Sequence, residues 1–180
     1  GKKVIEQFWD LALIKEPSDI FNLDFNKIEK LEGWGSLSIN NLKKAISKSQ
    51  IIFLDRFIYS IGIRHIGQEN AKILAGFFNS IKEFAKLFDL KSRKKILINL
   101  AELDGIGETQ IQSINSFFLN ETNIRIISKL IERLNIKNFS IQKFGKFSNK
   151  KLMFTGGFQN MSRSEAKTIA ENNGGKVLGS

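Results

Sequence analysis

Cysteine is absent from this chain and histidine occurs once. No disulfide can form, no zinc site can be built from thiolates, and no group of imidazoles can gather a metal. Metal chemistry is therefore not expected within these 180 residues. Proline is nearly missing too, with a single residue, so little interrupts helices. No apolar run approaches the length of a membrane span. The first residues also lack the basic, apolar and cleavage segments of a signal peptide. A soluble cytoplasmic protein without a membrane partner is the expectation.

What is present is apolar and basic. A hydrophobic fraction of 42% with 16 Phe argues against disorder and suits a mostly helical, well-packed chain, long enough for one core or one domain plus part of another. The net charge of +10 fits a nucleic-acid partner, and also fits the Lys, Ile and Asn bias of an AT-rich genome. Its distribution says more than its total. Residues 1–135 carry 20 basic and 16 acidic side chains, whereas residues 136–180 carry 8 and 2. Lys137, Lys143, Lys146, Lys150 and Lys151 fall in a stretch without acid, as a solvated linker lying near phosphate would, or a solvated linker alone.

Three phrases share one pattern: Leu31-Glu32-Gly33-Trp34-Gly35, Ile63-Arg64-His65-Ile66-Gly67 and Leu103-Asp104-Gly105-Ile106-Gly107. Counted from each closing glycine, apolar residues recur at +4 and +7: Ile39 and Leu42, Ala71 and Leu74, Ile111 and Ile114. Gly1 fits the same frame through Ile5 and Phe8, as a fourth copy without the front of its hairpin. The closing glycines lie 34, 32 and 40 residues apart, a spacing that reads as a repeated supersecondary unit.

Positions +4 and +7 share one face of a helix that starts just after the glycine, so each unit reads as two helices packed across a tight turn. Glycine permits φ > 0 and leaves no side chain between backbone and ligand. Successive N–H groups at the head of the second helix can then face an anion. One Gly-x-Gly before a helix is an ordinary turn and cap; several in phase point to phosphate of a DNA backbone, held without reading bases. The candidate contact residues are the glycines Gly1, Gly33, Gly35, Gly67, Gly105 and Gly107, with Lys2, Lys3, Ser36, Gln68 and Thr109 close behind them and Arg64 and His65 within the second hairpin.

Helices are predicted over Lys2–Leu13, Ser18–Asn22, Phe25–Leu31, Leu37–Ser47, Ile51–Ile61, Gln68–Phe78, Ile81–Leu87, Arg93–Leu103, Glu108–Phe118 and Asn123–Leu134, with Asp24, Ser36, Ser80 and Ser92 as caps. Strand-like runs are absent until the end, and Asn135–Asn149 reads as linker. From Lys151 the character changes: a strand at Lys151–Thr155, a turn at Gly156-Gly157, a helix at Ser162–Asn172 and a strand at Lys176–Leu178. That order implies a parallel crossover. Two strands make no stable sheet, so a fragment of a longer protein is expected. The fold class is therefore mainly α, with tandem hairpin repeats over 1–135, a basic linker over 136–150 and the first part of an α/β domain over 151–180.

The order of repeats, the phrase Arg56-Phe57-Ile58-Tyr59-Ser60-Ile61-Gly62-Ile63-Arg64-His65-Ile66-Gly67, and the later Phe154-Thr155-Gly156, Met161-Ser162-Arg163-Ser164-Glu165-Ala166 and Gly174-Gly175-Lys176-Val177 resemble the bacterial NAD-dependent DNA ligases. The resemblance implies a helix-hairpin-helix domain over 1–135 and the start of a BRCT domain over 151–180. It also implies, for the parent enzyme, NAD as cofactor, magnesium, zinc on four cysteines, and a lysine adenylated within a Lys-x-Asp-Gly motif, all upstream. Here the one Asp-Gly is Asp104-Gly105, and Glu102 stands where that lysine belongs, so this phrase is a hairpin. The implied role is the non-catalytic grip on nicked duplex DNA, beside the upstream ligase domains, in a cytoplasmic, nucleoid-associated enzyme of replication and repair. The rivals are a helix-hairpin-helix module of another DNA-processing protein, such as a nuclease or junction-binding factor, and a basic helical protein-interaction module.

Each candidate also has a plainer reading. His65 stands where the other repeats have their first glycine, which leaves an identical backbone path open to question; a structural role outweighs acid–base work, for which no partner is visible. Arg64 can pair with phosphate or with a surface carboxylate. Trp34 can buttress the turn or touch a sugar edge, the first being favoured. The phenylalanines sit at helical spacings among aliphatics and read as core, not base-stacking platforms. Thr155, Gly156 and Lys176 occupy places that form a phosphate pocket in some BRCT domains.

Overall fold

The computed structural model of the chain describes residues 1–139, 145–148 and 150–178, in two compact units, Gly1–Lys137 and Asn138–Ser180. Lys143 of the basic stretch lies outside the described residues.

The first unit is built from short amphipathic helices. They are α1 (Lys2–Asp10), a 3₁₀ turn at Pro17–Asn22, α2 (Phe25–Ile28) and α3 (Ser36–Ser49), then a strand β1 (Ile51–Phe53). After it come α4 (Leu54–Ser60), α5 (Gln68–Phe78), α6 (Ile81–Phe84) with a 3₁₀ extension over Ala85–Phe88, α7 (Leu90–Leu100), α8 (Glu108–Leu119), α9 (Glu121–Arg133) and β2 (Asn135–Lys137). The repeat frame largely holds: Phe8, Ile39, Ala71, Leu74 and Ile114 are buried, Leu42 and Ile111 are half-buried, and Ile5 is the exception at 44% exposed.

Two cores follow from the repeats. Phe8, Ile14, Leu23, Ile28 and Ile39 form one, with Trp34 packed against it. The Trp34 ring lies 5.3 Å from that of Phe8 and its indole N–H donates to Gln7 at 3.1 Å, so Trp34 buttresses its turn. In the other half, rings of Phe57, Phe78, Phe84 and Phe118 meet edge to face at 5.3–6.4 Å around Phe84. All four are buried, as offset aromatic contacts in a dense core favour.

Three expectations need correction. Residues 51–61 are not one helix: Ile51, Ile52 and Phe53 are a strand paired in parallel with Asn135, Ile136 and Lys137, so strands are not confined to the chain's end. Periodicity cannot separate a short apolar strand from a buried helical turn, and here the partner lies far along the sequence. Neither Ser36 nor Ser92 is a cap. Gly35 holds the N-cap of α3, and Asp89 caps α7 by accepting the Ser92 N–H at 2.7 Å.

The second unit carries β3 (Lys151–Leu152), α10 (Arg163–Asn172) and β4 (Lys176–Val177), the two strands pairing in parallel across the helix. Ser162 and Glu165 form a reciprocal capping box at the head of α10. A β-carbon at Gly175 would stand 2.9 Å from Leu152 Cδ1 and 3.0 Å from the Ala170 carbonyl, so close packing demands glycine there.

Candidate nucleic-acid interface

The three hairpins share one backbone path. In each, the fourth residue donates its N–H to the first carbonyl: Trp34 to Leu31 at 3.2 Å, Ile66 to Ile63 at 3.1 Å, Ile106 to Leu103 at 3.1 Å. The third residue is left-handed, with φ of +82° at Gly33, +62° at His65 and +88° at Gly105. Histidine therefore follows the glycine path in the second hairpin. The apolar fourth residue turns inward: Ile66 and Ile106 are buried and Trp34 half-buried.

The closing glycines serve differently from the first ones. Gly35, Gly67 and Gly107 are extended N-caps with φ of −99°, −81° and −96°, a conformation open to any residue. The absent side chain, not backbone freedom, distinguishes them. At Gly35 a β-carbon would meet nothing within 4 Å. Helices that start elsewhere are capped by a side-chain oxygen, from Asp24 on α2, Ser80 on α6, Asp89 on α7, Asn120 on α9 and Ser162 on α10. Besides the hairpin helices, only α1, headed by Gly1, and α4, headed by Phe53, lack such a cap among the described α-helices. Uncapped first-turn N–H groups at the positive end of a helix suit an anion.

Every candidate contact residue is exposed: Gly1, Lys2, Lys3, Gly33, Gly35, Ser36, Arg64, His65, Gly67, Gln68, Gly105, Gly107 and Thr109. Contacts join them in two sets. Gly1, Lys2 and Lys3 head α1, which meets the first hairpin through Gln7, Phe8 and Trp34; Lys2 also lies 3.6 Å from Glu6. The second and third hairpins are bound directly, since Asn70 Nδ2 donates to the Gly105 carbonyl at 2.7 Å. A β-carbon on Gly105 would stand 2.6 Å from Ile73 Cδ1, the end of a side chain that can move aside, so it is φ that calls for glycine there. Asn70 and Gln110 accept the Gly67 and Gly107 N–H groups at 3.2 and 3.0 Å, leaving the next amides of each helix for a ligand.

Sequence reasoning missed part of this surface. A groove of about 500 Å³ brings Arg64 and His65 against Thr109, Gln112, Ser113 and Ser116 of α8. The signal was the neutral polar recurrence at i, i+3, i+4 and i+7 along α8, a helical face as regular as the apolar one. Asp104-Gly105 is a hairpin turn, with Gly105 left-handed. Among the described residues no three His, Cys, Asp or Glu gather. In the second unit Arg163 donates to the Gly156 carbonyl at 3.2 and 3.3 Å. Among the described residues no helix is long and apolar enough to cross a membrane.

Hairpins of this geometry define the class. Residues 56–127 match the helix-hairpin-helix motif and residues 142–180 the BRCA1 C Terminus (BRCT) domain, so the chain is mainly helical, of helix-hairpin-helix type, followed by a BRCT-type α/β segment. Along nearly its whole length it is similar to proteins named DNA ligase. It is 49% identical to that of Pelagibacter ubique over 99% of the chain, 41% to that of Rickettsia canadensis over 98%, and 39% to that of Rickettsia bellii over 100%. It covers 26–27% of these relatives' length. The two matched parts lie within the stretch that these relatives share with the chain.

Proposed function

We propose that this chain is the C-terminal, non-catalytic grip of an NAD-dependent DNA ligase and holds the sugar-phosphate backbone of nicked duplex DNA. The exposed heads of α3, α5 and α8 present unpaired amides to phosphates along the minor groove, and neutral contacts from Ser36, Gln68 and Thr109 accompany Lys2, Lys3, Arg64 and His65. The observation that carries the reading is the division of caps: side-chain oxygens close α2, α6, α7, α9 and α10, and bare glycines open the hairpin helices α3, α5 and α8. The parent enzyme would draw on NAD as its source of AMP, releasing nicotinamide mononucleotide, and on magnesium and zinc. That chemistry belongs to upstream domains, which are this chain's protein partners in a cytoplasmic, nucleoid-associated enzyme of replication and repair.

Fluorescence anisotropy with labelled nicked duplexes of unrelated sequence tests the reading. Affinity should be independent of sequence and fall steeply with salt, by roughly 10³-fold or more between about 50 and 200 mM if six or more phosphates are neutralised. Affinity that ignored ionic strength, or that changed by orders of magnitude with sequence, would contradict it.

A further inference from the structure

The second hairpin departs from the other two at its left-handed position, where His65 replaces glycine at φ +62°. A side chain is disfavoured in that conformation, and such strain persists where the residue is used. His65 and its neighbour Arg64 line the groove whose opposite wall is α8. That wall is Thr109, Gln112, Ser113 and Ser116, one helical face about 10 Å long at 1.5 Å per residue. The wall is long enough to face more than one phosphate of a DNA strand. Among the described lining residues are two basic side chains, three hydroxyls and one amide, and no carboxylate. Glu108 stands beside the groove and accepts from Gln112 Nε2 at 3.0 Å. The exposed faces of neighbouring helices are charged, as with Lys91, Lys94 and Lys95 on α7 or Arg125 and Lys129 on α9. A stripe of neutral donors beside the Arg64 guanidinium and the His65 imidazole suits a phosphodiester.

We propose that one DNA strand continues from the heads of the second and third hairpins along this groove. Its phosphodiesters pair with Arg64 and His65 and accept from the α8 stripe, which makes Gln112, Ser113 and Ser116 further contact residues. This rests on the hairpin reading above.

The test uses the full chain and a labelled nicked duplex at fixed low salt. Ser116 is exposed, so Ser116→Asp and Ser116→Asn both leave the fold intact, which helical circular dichroism verifies. Ser116→Asp should weaken binding roughly tenfold by like-charge repulsion, Ser116→Asn should leave it nearly unchanged, and Arg64→Gln should lower the salt slope by about 0.9. If Ser116→Asp binds like Ser116→Asn while Gly35→Asp still loses affinity, the groove is overturned and the hairpins stand. If all these variants bind like the parent chain, the hairpin reading falls as well.

Discussion

At the residue scale, the two glycines of the first and third hairpins answer to different physics, and substitutions separate them. Gly33 and Gly105 are left-handed. Replacement of Gly105 by Ala carries a backbone cost of about 1–2 kcal/mol and needs only Ile73 Cδ1 to move aside, so a lower melting temperature is expected and calorimetry measures it. Gly35 is extended, with open space around its missing β-carbon. Gly35→Asp is therefore expected to stabilise the chain by a few tenths to about 1 kcal/mol, since a carboxylate at the N-cap satisfies first-turn amides and meets the positive helix end. The same carboxylate occupies the proposed phosphate position and should weaken DNA binding. A melting temperature that rises while affinity falls is the signature of an N-cap kept bare for a ligand. Gly35→Asp binding DNA as well as the parent chain would remove that explanation. His65→Gly makes the complementary case: it relieves the left-handed side chain, so folding should be no worse while affinity drops.

At the element scale, the hairpins were legible because the closing glycine and an apolar phase recur together, each enforced locally. β1 was not, because Ile51–Phe53 becomes a strand only by pairing with Asn135–Lys137, a partner that local sequence cannot announce. The α8 stripe is written in the sequence as polar residues at helical spacing, but only the fold sets Arg64 and His65 beside it. Long-range ties of the same hidden kind hold the halves of the first unit. Glu16, ahead of the Pro17–Asn22 turn, accepts from Arg125 at 2.5 Å, Lys129 at 2.7 Å and Ser18 at 2.6 Å. The hydrogen bonds from Lys129, Ser18 and Arg125 hold its carboxyl down at about 2. A depressed carboxyl stabilises the fold above its ordinary value near 4.5 and loses that contribution as pH falls toward 2. Glu16→Gln should therefore lower the melting temperature at pH 7, with the difference closing toward pH 2. Asp55 has the opposite sign. It is 5% exposed in the first turn of α4, Oδ1 finds no partner, and burial pushes its carboxyl up. Its contribution is full below the ordinary value of 3.8 and declines as pH rises through the raised one, so Asp55→Asn should help more at pH 8 than at pH 4. Melting curves of both variants across pH check the pair.

At the scale of the whole molecule, charge and contact are distributed differently. The hairpins and the groove lie in the first unit, yet residues 136–180 hold 8 basic and 2 acidic side chains. Lys146, Lys150 and Lys151 are exposed and stand outside every contact surface described above. Charges that make no fixed contact act through the long-range field, raising the rate of encounter with a polyanion more than the lifetime of the complex. Replacing all three by Gln in the full chain is expected to slow association with duplex DNA severalfold at low salt, with dissociation nearly unchanged and the difference fading once the Debye length shrinks below about 10 Å. Stopped-flow anisotropy resolves the two rates. Faster dissociation in the triple variant would mean that these lysines touch phosphate themselves, and the interface would then extend beyond the first unit.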